Sequence, residues 1–365
     1  MMGSRAEPVP HGGDLDAARL RHPAVPGPWL DLSTGINPRP YRVPQLEPGL
    51  WARLPQANAE RELCRAAAAR FGVADPAMIV PAPGTQALIQ ILPRLRGHRG
   101  RVAVLGPTYA EHARAWRREG HDVHEVATLE AALAADVIVA VNPDNPTGRL
   151  IARADLVSAA HELRRRDGLL IVDEAFIDVI EDAVGASLAG DLPTAAIVLR
   201  SFGKTYGLGG LRLGFVIVEE PIAARLVDML GPWAVSGPAL EIGRRALADG
   251  AWLDATRARL AVDVQRLDRM LAGAGCRIIG GTPLFRLVAH ERAGALADQL
   301  GACAIHVRRF AHQPTWLRFG LPGDEPEWMQ LDSALATVAD RGSAQAAISC
   351  LIRGQLFRPS RPVSS

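Results

Sequence analysis

Arg200-Ser201-Phe202-Gly203-Lys204-Thr205-Tyr206-Gly207-Leu208-Gly209-Gly210-Leu211-Arg212-Leu213-Gly214 is a glycine-rich loop between two apolar runs, Ala196–Leu199 before it and Phe215–Val218 after it. Both runs read as buried strands. Ser201 stands three residues before Lys204, and Arg212 eight residues after it. A lysine amine with a lowered pKa is a nucleophile that forms a Schiff base with an aldehyde. An arginine grips a phosphate with two parallel donors, and a serine hydroxyl adds a third. Taken alone, the loop is either a basic, flexible surface loop or the seat of pyridoxal phosphate, whose aldehyde and phosphate these groups match. Gly207-Leu208-Gly209 does not extend to a dinucleotide loop, because Arg212 occupies the third glycine position and no helical pattern follows.

Outward from the loop, short apolar runs alternate with helical patterns. Strands are expected at 78–80, 102–105, 123–126, 137–141, 169–172, 196–199 and 215–218, and helices at 60–71, 86–95, 110–119 and 152–166. Continuous apolar strands alternating with helices imply a mostly parallel sheet covered on both faces. Such sheets bind ligands at the carboxyl ends of their strands, so reactive residues should follow the strands. They do. Pro83-Gly84-Thr85-Gln86 opens a helix and is either a plain cap or a phosphate site made of free N–H groups. Tyr109 can stack on a flat ring. Asn145, within Asn142-Pro143-Asp144-Asn145-Pro146-Thr147-Gly148, is part of a turn or a donor to a phenolate oxygen. Asp173 ends an apolar run, where a carboxylate needs a buried cation; a protonated pyridine nitrogen would serve.

Beyond Val218 the pattern becomes a smaller α/β unit. Helices are expected near 238–248, 252–274, 293–300 and 325–339, with strands at 277–279, 284–288, 305–308 and 316–319. Arg308 and Arg318 lie on its strands, and Arg318 interrupts an apolar segment. The division is an N-terminal arm over 1–50 that packs with the small domain, a large domain over 51–244, a small domain over 245–345 and a tail over 346–365.

The chain has 365 residues, 48% of them hydrophobic and 22% charged, as in ordinary globular proteins. A formal net charge of +2 suggests neither nucleic acid nor an anionic membrane as partner. Arginine strongly outnumbers lysine. Cys64, Cys276, Cys303 and Cys350 are scattered, which argues for a reducing compartment and against structural zinc. No secretory leader or membrane span is expected, and the location expected is the cytoplasm.

In order, Asn-Pro-Thr-Gly, Asp-x-Ala and Ser-x-x-Lys with arginine eight residues on resemble the fold-type I pyridoxal phosphate enzymes of the aminotransferase class I/II group. The resemblance spans about 11–339. It implies that Lys204 carries the cofactor and moves protons, that Asp173 pairs with the ring nitrogen, that Asn145 bonds the ring oxygen, and that Tyr109 stacks on the ring. Gly84, Thr85, Ser201 and Arg212 would hold the cofactor phosphate with Gln86 beside them, and Arg318 the substrate carboxylate. Within the group, His11-Gly12-Gly13, Asp31-Leu32-Ser33 with Ile36-Asn37-Pro38, Asp173 to Asp178, and Pro232-Trp233 with Val235 are most similar to the L-threonine-O-3-phosphate decarboxylases of cobalamin biosynthesis. Phe176 belongs to that likeness, since many aminotransferases have tyrosine there. The likeness implies that His11 and Arg308 contact the substrate phosphate and that the enzyme is a homodimer. Two positions depart from the pattern. Leu54 stands where the group often has a tyrosine that reaches across the dimer, and Gly35 stands where the decarboxylases often have asparagine near the substrate. The alternative activity is an aminotransferase, such as one for histidinol phosphate; a non-catalytic protein on the same fold is more remote.

Overall fold

The computed structural model describes residues 12–337. Its strands are β1 (Leu30–Leu32), β2 (Ile79–Ala82), β3 (Arg101–Leu105), β4 (Asp122–Val126), β5 (Val137–Val141), β6 (Leu169–Asp173), β7 (Ala196–Ser201), β8 (Gly214–Ile217), β9 (Arg277–Thr282), β10 (Phe285–Ala289), β11 (Ile305–Arg309) and β12 (Trp316–Gly320). They form a seven-stranded sheet in the order β2-β8-β7-β6-β5-β3-β4 and a five-stranded sheet in the order β1-β11-β12-β10-β9.

In the large sheet β4, β3, β5, β6 and β7 run parallel, while β8 is antiparallel to both of its neighbours. Every residue of β5 is buried, as expected for a central strand covered on both faces. Helices Ala57–Phe71, Arg153–Arg164 and Gly237–Ala248 supply one apolar layer. Helices Thr85–Ile91, Glu111–Arg118 and Glu220–Leu230 supply the other. The carboxyl ends of β2, β3, β5, β6 and β7 therefore share one edge, and the expected site residues lie along it.

The small sheet packs on helix Gly250–Gly273, helix Ala293–Ala302 and the helix over 325–337. Ala175, Phe176 and Val179, just after β6, belong to that small-sheet core. The loop beyond Asp173 is thus gripped by both layers.

Several elements differ from the sequence reading. The 86–95 helix divides into an α-helix ending at Ile91 and a 3-10 turn over Leu92–Arg96, because Pro93 has no N–H for the α-helical ladder. Helix Glu220–Leu230 was not expected, although Pro221 in its first turn marks the start. β1 lies in the arm read as irregular; it pairs in parallel with β11, some 275 residues on in sequence, and so distant a partner leaves no local pattern. The last helix is described only to residue 337.

Behind the shared edge lies a buried ionic cluster. Arg200 Nη1 donates to Glu174 at 3.0 Å and to Ser187 Oγ at 3.1 Å, and Nη2 donates to Asp178. Burial raises the Glu174 carboxyl, and Arg200 opposes that rise. The cluster ties the turn after β6 to the end of β7. Arg200→Met would leave two buried carboxylates without their cation, and unfolding in denaturant should show a loss of about 3–5 kcal/mol.

Candidate active site

A cavity of about 450 Å³ opens on the shared edge, within the range of small-molecule sites. Gly84, Thr85, Gln86, Tyr109, Asn145, Asp173, Phe176, Ser201, Lys204, Arg212, Arg308 and Arg318 all line it. One expected residue does not, and another lies outside the described residues. Gly35 is absent from the lining, and a Cβ there would stand 2.9 Å from the Phe285 ring and 3.0 Å from Phe176. Those rings, 5.1 Å apart edge to face, fill the space an asparagine would need. His11 falls outside the described residues, although its neighbour Gly12 lines the cavity. Leu54 is 60% exposed and away from the cavity.

Lys204 sits in the single helical turn Phe202–Thr205 that follows β7. It is the only lysine among the 41 lysines and arginines of the chain. Its amine is pushed down to about 8 by burial, with Arg318 and Arg212 adding to the effect and Asp173 opposing it. The amine is 5.7 Å from the centre of the Phe176 ring.

Asp173, the last residue of β6, is held at both oxygens. Ala175 N donates to Oδ1 at 3.1 Å, and His112 Nε2 lies 2.9 Å from Oδ2. His112 is buried and was not foreseen. The available signal was a histidine three residues after the strand-end Tyr109, in the first turn of a helix. Tyr109 donates to Gln86 Oε1 at 3.1 Å, and Gln86 Nε2 donates to Glu111 at 3.0 Å. The Gln86 side chain thus links the tyrosine to Glu111. Burial, with Glu111 next, pushes the Tyr109 hydroxyl up to about 12, so it stays neutral.

At the start of helix Thr85–Ile91, Arg212 leans over Gly84. A Cβ on Gly84 would come within 2.7 Å of the mobile tip of Arg212, and Gly84 has φ +83°; the backbone angle is what favours glycine. Ser201 makes no capping hydrogen bond with its hydroxyl. Gly84, Thr85, Ser201 and Arg212 therefore form a cradle of donors at one place in the cavity wall.

Arg308 and Arg318 face each other in register across β11 and β12. Like charges placed opposite one another destabilise a sheet. Burial pushes Arg318 down to about 9, and Arg308 contributes. Arg318 donates to Ser33 O at 2.6 Å and to Asn145 Oδ1. With its oxygen taken, Asn145 has its amide N–H groups left for another acceptor. Thr34, Ile36, Thr108 and the stretch Phe310 to His312 also line the cavity and were not among the expected site residues.

The family model for aminotransferase class I and II matches residues 36–332. The chain belongs to this family. A threonine-phosphate decarboxylase of a Sinorhizobium species is 45% identical over 336 residues, covering 90% of this chain and 98% of that protein. Another from Pseudomonas aeruginosa is 44% identical, covering 89% and 96%. Among solved structures, the histidinol-phosphate aminotransferase of Sinorhizobium meliloti in complex with pyridoxal-5'-phosphate superposes with a TM-score of 0.76 at 23% identity, over 93% of this chain and 98% of that one. L-threonine-O-3-phosphate decarboxylase from Porphyromonas gingivalis gives 0.69 at 20% identity, over 85% and 99%. These two show a shared fold.

In this class I and II aminotransferase chain, the Lys204 amine is neutral above about 8 instead of 10.5. In the cofactor-free protein, modification of Lys204 by an amine-directed reagent should rise about tenfold per pH unit and level off near pH 8. Peptide mass spectrometry follows it cleanly, since no other lysine is present. A plateau reached only above pH 10 would contradict the role given to burial.

Proposed function

We propose that this protein decarboxylates L-threonine O-3-phosphate to (R)-1-amino-2-propanol O-2-phosphate, a step of cobalamin biosynthesis, using pyridoxal phosphate. One observation carries the substrate reading: Arg308 and Arg318 face each other in the wall of the cavity that holds Lys204. An opposed arginine pair is worth its repulsion when the ligand brings two anionic groups, and threonine phosphate brings a carboxylate and a phosphate. The two threonine-phosphate decarboxylases, matched over 98% and 96% of their lengths, support the same reading.

The residues fit the cofactor. The donor cradle at Gly84 and Arg212 suits its phosphate, the buried carboxylate of Asp173 suits a protonated ring nitrogen, and Lys204 is the one amine available for its aldehyde. When bound, pyridoxal phosphate supplies an electron sink for a bond broken at the substrate α carbon. The protein's own groups do the rest. Lys204 Nζ holds the cofactor and then moves a proton at the α carbon that loses carbon dioxide. His112 keeps Asp173 aimed. Asn145, its orientation set by Arg318, would donate to the ring oxygen. Tyr109, anchored by Gln86, would lie against the ring, and Phe176 would contribute apolar surface. Arg318 takes the carboxylate, and Arg308 with His11 takes the substrate phosphate.

The enzyme acts as a homodimer in the cytoplasm on this reading. Trp51 and Leu54, 71% and 60% exposed, offer apolar surface to a second copy. No helix among the described residues is long and apolar enough to cross a membrane.

Purified protein should be yellow, and Lys204→Ala should abolish the visible absorbance. With L-threonine phosphate as sole substrate, carbon dioxide should be released. A requirement for 2-oxoglutarate would make the enzyme an aminotransferase instead. Arg308→Ala should raise KM for L-threonine phosphate about 10- to 100-fold, the worth of a charged hydrogen bond.

A further inference from the structure

The turn that carries Lys204 is too short to hold itself. Phe202–Thr205 is one turn, and the last carbonyls of a helix have no donor within it. The N-terminal arm supplies them. Asn37 N donates to Lys204 O at 2.9 Å, Asn37 Nδ2 to Thr205 O at 2.9 Å, and Tyr41 N to Tyr206 O at 2.9 Å. Three successive carbonyls are thus taken by one segment of the arm. The approach is close: a Cβ on Gly207, at φ +68°, would stand 2.6 Å from Pro40 Cα and 2.7 Å from Asn37 O.

Asn37 is 1% exposed and does not line the cavity. Its side chain is engaged at both ends. While Nδ2 donates to Thr205 O, Oδ1 accepts from Arg259 Nη2 at 2.8 Å and from Arg39 N at 3.1 Å. Arg259 comes from helix Gly250–Gly273 and is braced by Asp263 at 2.9 Å. These bonds fix which way the amide points, because an arginine can only donate. The arm and the long helix therefore meet the lysine turn through one amide.

We propose that Asn37 is a positioning residue for Lys204: its amide, oriented by Arg259, holds the turn that aims the amine into the cavity. This rests on the assignment of Lys204 as the cofactor lysine. Asn37 touches no reacting atom and acts only through the backbone of Lys204 and Thr205. The amine it aims is faced by Arg318, Arg212 and Asp173, so a change in aim changes its protonation as well as its reach.

The test compares wild type with Asn37→Ala, Asn37→Asp and Arg259→Met. Asn37→Ala removes the donor and the acceptor. Asn37→Asp keeps an acceptor for Arg259 but loses the donor to Thr205. Arg259→Met keeps the donor but leaves only the Arg39 N–H to hold the amide oxygen. Both Asn37 variants should lower kcat about ten- to hundredfold while leaving KM for L-threonine phosphate within about twofold, since misplacement rather than binding is at fault. In cofactor-free protein, the pH midpoint for modification of Lys204 should move up from about 8 toward 10.5. Arg259→Met should shift both readouts the same way by a smaller amount. Variants that fold with the wild-type midpoint and kcat overturn the proposal, as does a loss confined to thermal stability or to KM. If Asn37→Ala fails to fold, Arg259→Met decides by the same two readouts. Borohydride reduction of wild-type holoenzyme keeps the underlying assignment separate. One cofactor mass on the Lys204 peptide upholds that assignment whatever the variants do, and its absence removes both.

Discussion

The site depends on holding cations beside one another around one cavity. The Lys204 amine is buried with Arg318 and Arg212 near it and Asp173 as its counter-charge, and Arg308 stands opposite Arg318. Left to themselves, such groups would move apart or draw in solvent. Three of the group are fixed instead by bonds to the chain around them. Arg318 is held by the Ser33 carbonyl and Asn145, Arg212 by the Gly209 carbonyl at 2.9 Å, and Asp173 by His112 and a backbone N–H. The result is a cavity whose charge is already arranged for anions before any arrives, which is how preorganised sites avoid reorganisation during reaction.

That arrangement needs two units of the fold at once. Lys204, Asp173, Asn145 and Tyr109 come from the edge of the large sheet, whereas Arg308 and Arg318 come from the small one. The loop after β6 bridges them, because Phe176 belongs to the small-sheet core while lining the cavity. The arm is a second bridge: β1 pairs with β11, Ser33 meets Arg318, and Asn37 meets the lysine turn. A position on this bridge is therefore constrained from both sides. Gly35 illustrates it, since the Phe176–Phe285 pair leaves no space for a side chain there.

Much of the large sheet was legible because its strands are continuous apolar runs, and strand ends in such sheets are where ligands bind. The expected strand at 137–141 is β5, and Asp173 lies at the end of β6. What escaped was fixed by distant partners. Leu30–Leu32 carries no strand signal of its own and becomes a strand by pairing with Ile305–Val307. His112 looks like any helical histidine until β6 brings Asp173 within 2.9 Å. Gln86 lines the cavity beside Gly84 and Thr85, and its place at a helix start gave no hint that its amide meets Tyr109 and Glu111. Backbone patterns announce where a residue sits; they do not announce which way its side chain turns.

The composition carries a sharper signal than its arginine bias first suggests. Of 41 lysines and arginines, position 204 alone has lysine. Guanidinium serves wherever a cation must pair with a carboxylate or carbonyl, as at Arg200, Arg259 and Arg318. It serves poorly where the group must lose its proton near neutral pH and attack a carbonyl, because its ordinary pKa is above about 12, and even burial at Arg318 brings it only to about 9. An ammonium on a flexible stem can be brought down by burial, and here it is brought to about 8. A chain that writes arginine at every other basic position and lysine at this one is using the one property of lysine that arginine lacks. That fits the proposed role of the amine as a nucleophile, and the surrounding arginines favour it by keeping the amine unprotonated.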